Sequence, residues 1–252
     1  MSSLPASFPV VTLALALGLV TPTLAAEATP DAHALLVQAD AFRQPADAVE
    51  VLTDVQVLKH GELDKDRSYL VFVKPGRRSL VVSRSPVEKG QKVLMVADDF
   101  WIVLPSSQRP VRITPAQKLL GDAATGDVAT LAWADDYVGV VAGDVEAGGV
   151  PCRKLELTAH RRGVTYQRIT LFLARTDAHP VAAELYVASE RLAKRATFEM
   201  GKLDGKEGVV AMHLHDEIQT GRETVIRYRS RSARTLGDEY YNPMFLTRHD
   251  PE

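Results

Sequence analysis

The chain of 252 residues has one cysteine, Cys152. That excludes an internal disulfide, and with it a disulfide-built scaffold. It has no excess charge of either sign: 30 Lys and Arg stand against 32 Asp and Glu. A nucleic-acid partner would call for a strong basic excess, so none is expected. Aromatics are scarce, at 6%. Gly-x-Ser-x-Gly, GxGxxG and Walker patterns are absent, which removes the nucleophile elbow and the Gly-rich phosphate loops. No run of 18 apolar residues follows the first 30 positions, so no transmembrane helix is expected there.

The apolar material that is present begins at once. Val10 to Val20 reads VVTLALALGLV. A run of about 11 residues suits a signal-peptide core and is too short to span a bilayer. Pro22 breaks it, and Thr23-Leu24-Ala25-Ala26 supplies small residues for cleavage after Ala25 or Ala26. No Lys or Arg precedes the core, a departure from the usual leader. The expectation is a signal peptide over 1–26 and one exported domain over 27–252. No cysteine stands directly after the cleavage point, so no lipid anchor is expected at the mature N-terminus.

One helix is signalled early. Asp31 or Thr29 can cap it, and Ala32, Leu35, Leu36, Ala39 and Phe42 recur at helical spacing before Pro45. The period then changes to two. Strands are expected near Val49–Val57, Tyr69–Val73, Ser79–Ser83, Lys92–Ala97 and Phe100–Leu104. A second series runs near Tyr137–Val145, Cys152–Ala159, Tyr166–Ala174, Val181–Val187, Leu192–Met200, Val209–His215 and Thr224–Ser230. The short spacings read as antiparallel hairpins. Between the two series, Pro115 to Leu120 and Asp127 to Trp133 read as short helical pieces forming a lid. The fold class is therefore mainly β (α+β): a curved antiparallel sheet with an N-terminal helix and a short helical lid. So long a sheet with so little helix to cover it leaves room for an apolar cavity, although a tightly packed sandwich fits the same periodicity.

Chemistry-bearing groups are few. Cys152 beside Arg153 and Lys154 could be a nucleophile, but reads better as a strand residue. His213 and His215 share a strand face, yet two imidazoles do not complete a metal site. Asp98-Asp99 and Asp135-Asp136 read as turn carboxylates that cap or solubilise. No catalytic or metal set is assigned, and no cofactor is expected. Arg227, Arg229 and Arg231 alternate along one strand and read as one face that could meet a lipid phosphate or an acidic partner.

Several short pieces, taken in order, resemble the LolA-like family of outer-membrane lipoprotein-sorting proteins. They are Ala39-Asp40-Ala41-Phe42-Arg43, Asp99 to Pro105, Arg109 with Arg112-Ile113, Gly121 with Gly126-Asp127, Tyr137, Gly149 to Leu157, Tyr166, His179-Pro180-Val181 and Asn242 to Leu246. The sequence departs from that pattern at Ala124, where an aromatic is expected. The resemblance implies a half-open barrel of about 11 strands with helices over an apolar cavity. It implies a soluble periplasmic carrier of lipid or lipoprotein acyl chains, loaded from an inner-membrane transporter and delivered to an outer-membrane acceptor. The alternative is a periplasmic sensor or interaction module that binds a lipidated signal and regulates a membrane partner. Alternation selects Leu70, Phe72, Leu80, Val82, Leu94 and Val96 as cavity positions, Phe100 and Trp101 as cavity wall, and Leu119, Leu120 and Leu131 as lid.

Overall fold

A computed structural model describes residues 31–44, 47–107, 109–113, 132–161 and 164–251. The expected leader and the lid positions Leu119, Leu120 and Leu131 lie outside the described residues.

Helix α1 spans Ala32–Ala41. Its N-cap is Asp31, whose carboxylate accepts the backbone N–H groups of His33 and Ala34, both at 3.3 Å. That satisfies two donors with no partner inside the helix. Thirteen strands follow: β1 (Val49–Lys59), β2 (Glu62–Lys74), β3 (Arg78–Ser83), β4 (Lys92–Val96), β5 (Asp99–Val103), β6 (Val111–Ile113), β7 (Tyr137–Ala147), β8 (Val150–Ala159), β9 (Arg168–Ala174), β10 (Pro180–Tyr186), β11 (Leu192–Leu203), β12 (Lys206–Asp216) and β13 (Arg222–Ala233). A one-turn helix, α2 (Trp133–Asp136), leads into β7. Every expected strand is present. The one not foreseen is β6, whose three residues are too few to show a period.

All the strands form one antiparallel sheet in the order β6-β5-β4-β3-β2-β1-β13-β12-β11-β10-β9-β8-β7. Two meanders are thus joined by the pairing of the first strand with the last, Val55 opposite Ile226. The sheet is open, with edges at β6 and β7. The chain passes from one edge to the other between Ile113 and Trp133.

Curvature follows from what the sheet has to bury. The apolar side chains Ala32, Leu35, Leu36 and Ala39 of α1 pack in one cluster with Val81, Val93 and Phe100 from one half and Tyr137, Leu155, Leu157 and Leu171 from the other. Strands far apart in hydrogen-bonding order can share a helix only if the sheet wraps around it. The other face of β2 to β5 is apolar too. Leu70, Phe72, Leu80, Leu94 and Val103 pack there beneath Leu236, Tyr241 and Leu246 of the C-terminal segment. Strands covered on both sides read as continuous apolar runs. The segment is fastened by Lys74 and Arg78 on Asp238, at 2.5 and 2.8 Å, and by Lys92 on the Leu246 carbonyl at 2.8 Å.

Opposite parts of the open sheet are tied by charge. Arg77 lies in the β2–β3 turn with φ 59°, the left-handed region. Its guanidinium meets Asp136, the last residue of α2, whose side chain is 1% exposed, and also donates to Asp98 at 3.2 Å. Asp135-Asp136 is therefore not the solvated turn pair expected from sequence: Asp136 is buried and paired. Removing one partner of a buried pair strands the other charge. Arg77→Ala should destabilise the protein by roughly 3 kcal/mol, and Arg77→Ala with Asp136→Asn should recover part of the loss. Urea denaturation followed by circular dichroism measures both, and a single variant within error of wild type would show that the clasp carries no weight.

Candidate ligand-binding site

The site is built where the end of α1 meets the β11–β12 hairpin. The Phe42 carbonyl accepts the Val209 N–H at 2.9 Å. A Cβ at Gly208 would lie 2.8 Å from that carbonyl oxygen, so only glycine allows the approach. Asp40 accepts the Ala134 N–H at 2.9 Å, holding α2 against α1. Arg43 sits 3.8 Å over the Trp133 ring. Burial pushes the Asp40 carboxyl up, against the pull of Arg43. Burial also pushes the Arg43 guanidinium down, against Asp40.

Beside this fixed end of α1 lies a cavity of about 610 Å³. Val37, Ala41, Val49, Leu203 and Ala233 give it apolar wall, while Asp40, Asp47, Asp204, Lys206, Glu207 and Arg231 give it polar groups. Its volume falls within the range of small-molecule pockets, about 300–1,000 Å³. Val37, on the helix, is 51% exposed. A smaller cavity of about 210 Å³ lies by the β2–β3 turn, between Met95, Ala132 and Asp135.

The structure separates the residues selected from sequence. Leu70, Phe72, Leu80, Val82 and Leu94 lie under the C-terminal segment, with Val96 and Trp101 packed against the same cluster. Phe100 alone of the described set is in the cluster with α1. The residues facing α1 are the alternates on the same strands, Tyr69, Val71, Val81, Val93 and Met95. None of the described positions chosen from sequence as cavity or cavity wall lines the 610 Å³ cavity.

The three arginines of β13 do not share a face. In the pairing with β1, Thr53 lies opposite Tyr228 and Leu52 opposite Ser230, so Arg229 is an extra residue in a β-bulge. A bulge resets the alternation. Arg227 and Arg229 stay on the outer surface, 3.7 Å from Glu199 and 2.7 Å from Asp54. Arg231 comes opposite Val51, a residue of the helix-side cluster, and reaches the cavity.

Cys152 and His213, singled out in the sequence, both have partners within the sheet. Cys152 is fully buried, its thiol donates to the Val150 carbonyl at 3.3 Å, and burial raises its pKa. That is the setting of an inert thiol. His213 lies 2.6 Å from Glu199 and 3.2 Å from Glu223 on the outer face. Among the described residues, no group of three or more His, Cys, Asp or Glu could hold a metal ion. No helix among them is long and apolar enough to cross a membrane.

A family whose model is described as an uncharacterized protein matches residues 76–248. Among solved structures, a LolA superfamily protein from Nitrosomonas europaea superposes with a TM-score of 0.77 at 28% identity, covering 84% of this chain and 98% of that one. A DUF1329 family protein from Desulfovibrio piger gives 0.69 at 22% identity, covering 83% and 95%. A protein described as an outer membrane lipoprotein-sorting domain, from Vibrio parahaemolyticus, gives 0.69 at 18% identity, covering 86% and 98%. The last two show the fold alone. Comparison with curated proteins returns no match.

The buried thiol has a direct check. A thiol reagent such as Ellman's should leave Cys152 unmodified in the native protein at pH 8 and titrate one equivalent in urea. Rapid native labelling would restore a reactive cysteine.

Proposed function

The chain belongs to the LolA-like family, and on that premise we propose that it is a periplasmic carrier that shields the acyl chains of a lipid or lipoprotein. The observation that carries this reading is the 610 Å³ cavity with apolar walls between α1 and the β11–β12 hairpin, at the open face of a curved sheet. The leader over 1–26 exports the chain, and 27–252 folds as the carrier domain. Lipoprotein sorting, the role in the description of one structural relative, is the process in which such a carrier serves. An inner-membrane transporter would load it and an outer-membrane acceptor unload it.

The energetics suit transport. Each methylene removed from water contributes about 0.8 kcal/mol. Ten of them give about 8 kcal/mol, near micromolar affinity before the cost of ordering the chain. A carrier needs affinity of this order, because it must also release. The cavity supplies shape and apolar surface.

Native mass spectrometry of the protein purified from periplasm without detergent tests the proposal. The expected result is a mass increment of one acylated molecule per chain, reproduced by uptake from added vesicles. A bare protein mass together with no uptake would sink it.

A further inference from the structure

The charges around the cavity are ordered by depth. Asp47, Asp204, Lys206 and Glu207 are exposed at its rim, while Asp40 and Arg231 are partly buried, and Asp40 is already engaged by Arg43 and the Ala134 N–H. The bulge at Arg229 places Arg231 there, since unbroken alternation would have sent its side chain outward with Arg227. Its position also differs in partners. Arg227 and Arg229 each meet a carboxylate. The Arg231 guanidinium donates to a neutral oxygen, the Arg43 carbonyl, at 3.2 Å, and its Nε is buried without a hydrogen-bond partner. The nearby Asp204 carboxylate is engaged by the Arg231 backbone N–H. Burial lowers the Arg231 pKa, against the pull of Tyr228 and Asp204.

A guanidinium that lines the cavity and rests on a neutral carbonyl is suited to a phosphate, which it can meet with two parallel hydrogen bonds. We propose that the cavity takes a phospholipid, with the lipid phosphate on Arg231 and acyl chain along Val37, Ala41 and Leu203. This deepens the carrier reading and rests on it. It names the head group of the cargo, which the apolar wall alone does not specify. The rim acids Asp47 and Glu207 suit a head that carries an ammonium beyond the phosphate, as phosphatidylethanolamine does. A neutral diacylglycerol would fill the same apolar space and leave the arginine unanswered.

Binding measured with three probes on the full protein separates the outcomes: phosphatidylethanolamine, diacylglycerol with the same chains, and glycerol phosphate without chains. Wild type should prefer phosphatidylethanolamine over diacylglycerol by about tenfold or more, the worth of a charge-assisted hydrogen bond, and should bind glycerol phosphate far more weakly than either. Arg231→Met should bring the preference to near unity while diacylglycerol binding persists, which also shows that the variant is folded. Arg231→Lys should restore part of the preference, and Arg229→Met should leave it unchanged. Equal affinity of wild type for the two lipids, or a preference that survives Arg231→Met, overturns the proposal and leaves the carrier intact. Glycerol phosphate bound as tightly as the phospholipid would show a phosphate site without a lipid and also overturns it. Failure of wild type to take up either lipid overturns the carrier reading itself.

Discussion

The structure depends on one mismatch. Thirteen strands present an apolar inner face, and in the described residues a ten-residue helix with one short turn of helix is what packs against it. Because a helix is only about 10 Å across, the sheet must wrap to bring both its halves onto Leu35 and Leu36. Of the four buried residues of α1, two are alanines, which lets the sheet approach closely. The side of the helix that carries Val37 and Ala41 lines the 610 Å³ cavity. The cavity is thus a consequence of covering a wide sheet with a narrow helix.

Wrapping without closure creates a second constraint. A barrel abolishes its edges by pairing them, and this sheet does not, since β6 and β7 remain at opposite ends. Among the described residues the two sides are tied by charge through the Arg77–Asp136 pair, with Asp98 beside it. An ion pair between a turn and a helix end fixes their distance without adding ladder hydrogen bonds. The β2–β3 turn can therefore stay near α2 while the strands beneath it keep their own curvature.

Much of the fold was legible because period two is unmistakable where one face is wet. Leu155 and Leu157 alternate with Lys154 and Glu156, and both leucines are buried. Legibility failed where both faces are dry. Tyr69 to Val73 and Ser79 to Ser83 are apolar at nearly every position, so periodicity cannot say which set meets the helix. The answer depends on the segment from Leu236 to Leu246, which has only short 3₁₀ turns of its own and no period to read. The face chosen from sequence was the one this segment covers. Arg231 was misplaced for a different reason, since the bulge at Arg229 leaves no mark in the residue types. Asp136 was read as a solvated turn residue because nothing local indicates that Arg77, 59 positions away, comes to meet it.

The two covers of the sheet also divide its work. Strands β2 to β5 are packed on both sides, with α1 inside and the C-terminal segment outside, and that outer layer is fixed by Lys74, Arg78 and Lys92. Moving them would break two apolar clusters at once. The outer face of β11 to β13 carries Glu199, His213 and Arg227 and faces water. On that side the contacts of α1 and the residues just after it, among them the hydrogen bonds from Val209 to Phe42 and from Arg231 to Arg43, oppose a change in spacing between helix and sheet. The 610 Å³ cavity lies there, where one cluster rather than two resists. Local openings follow low contact density, so in the proposed carrier the α1 and β11–β12 side would be the one to admit an acyl chain, while the doubly covered strands hold the curvature of the sheet.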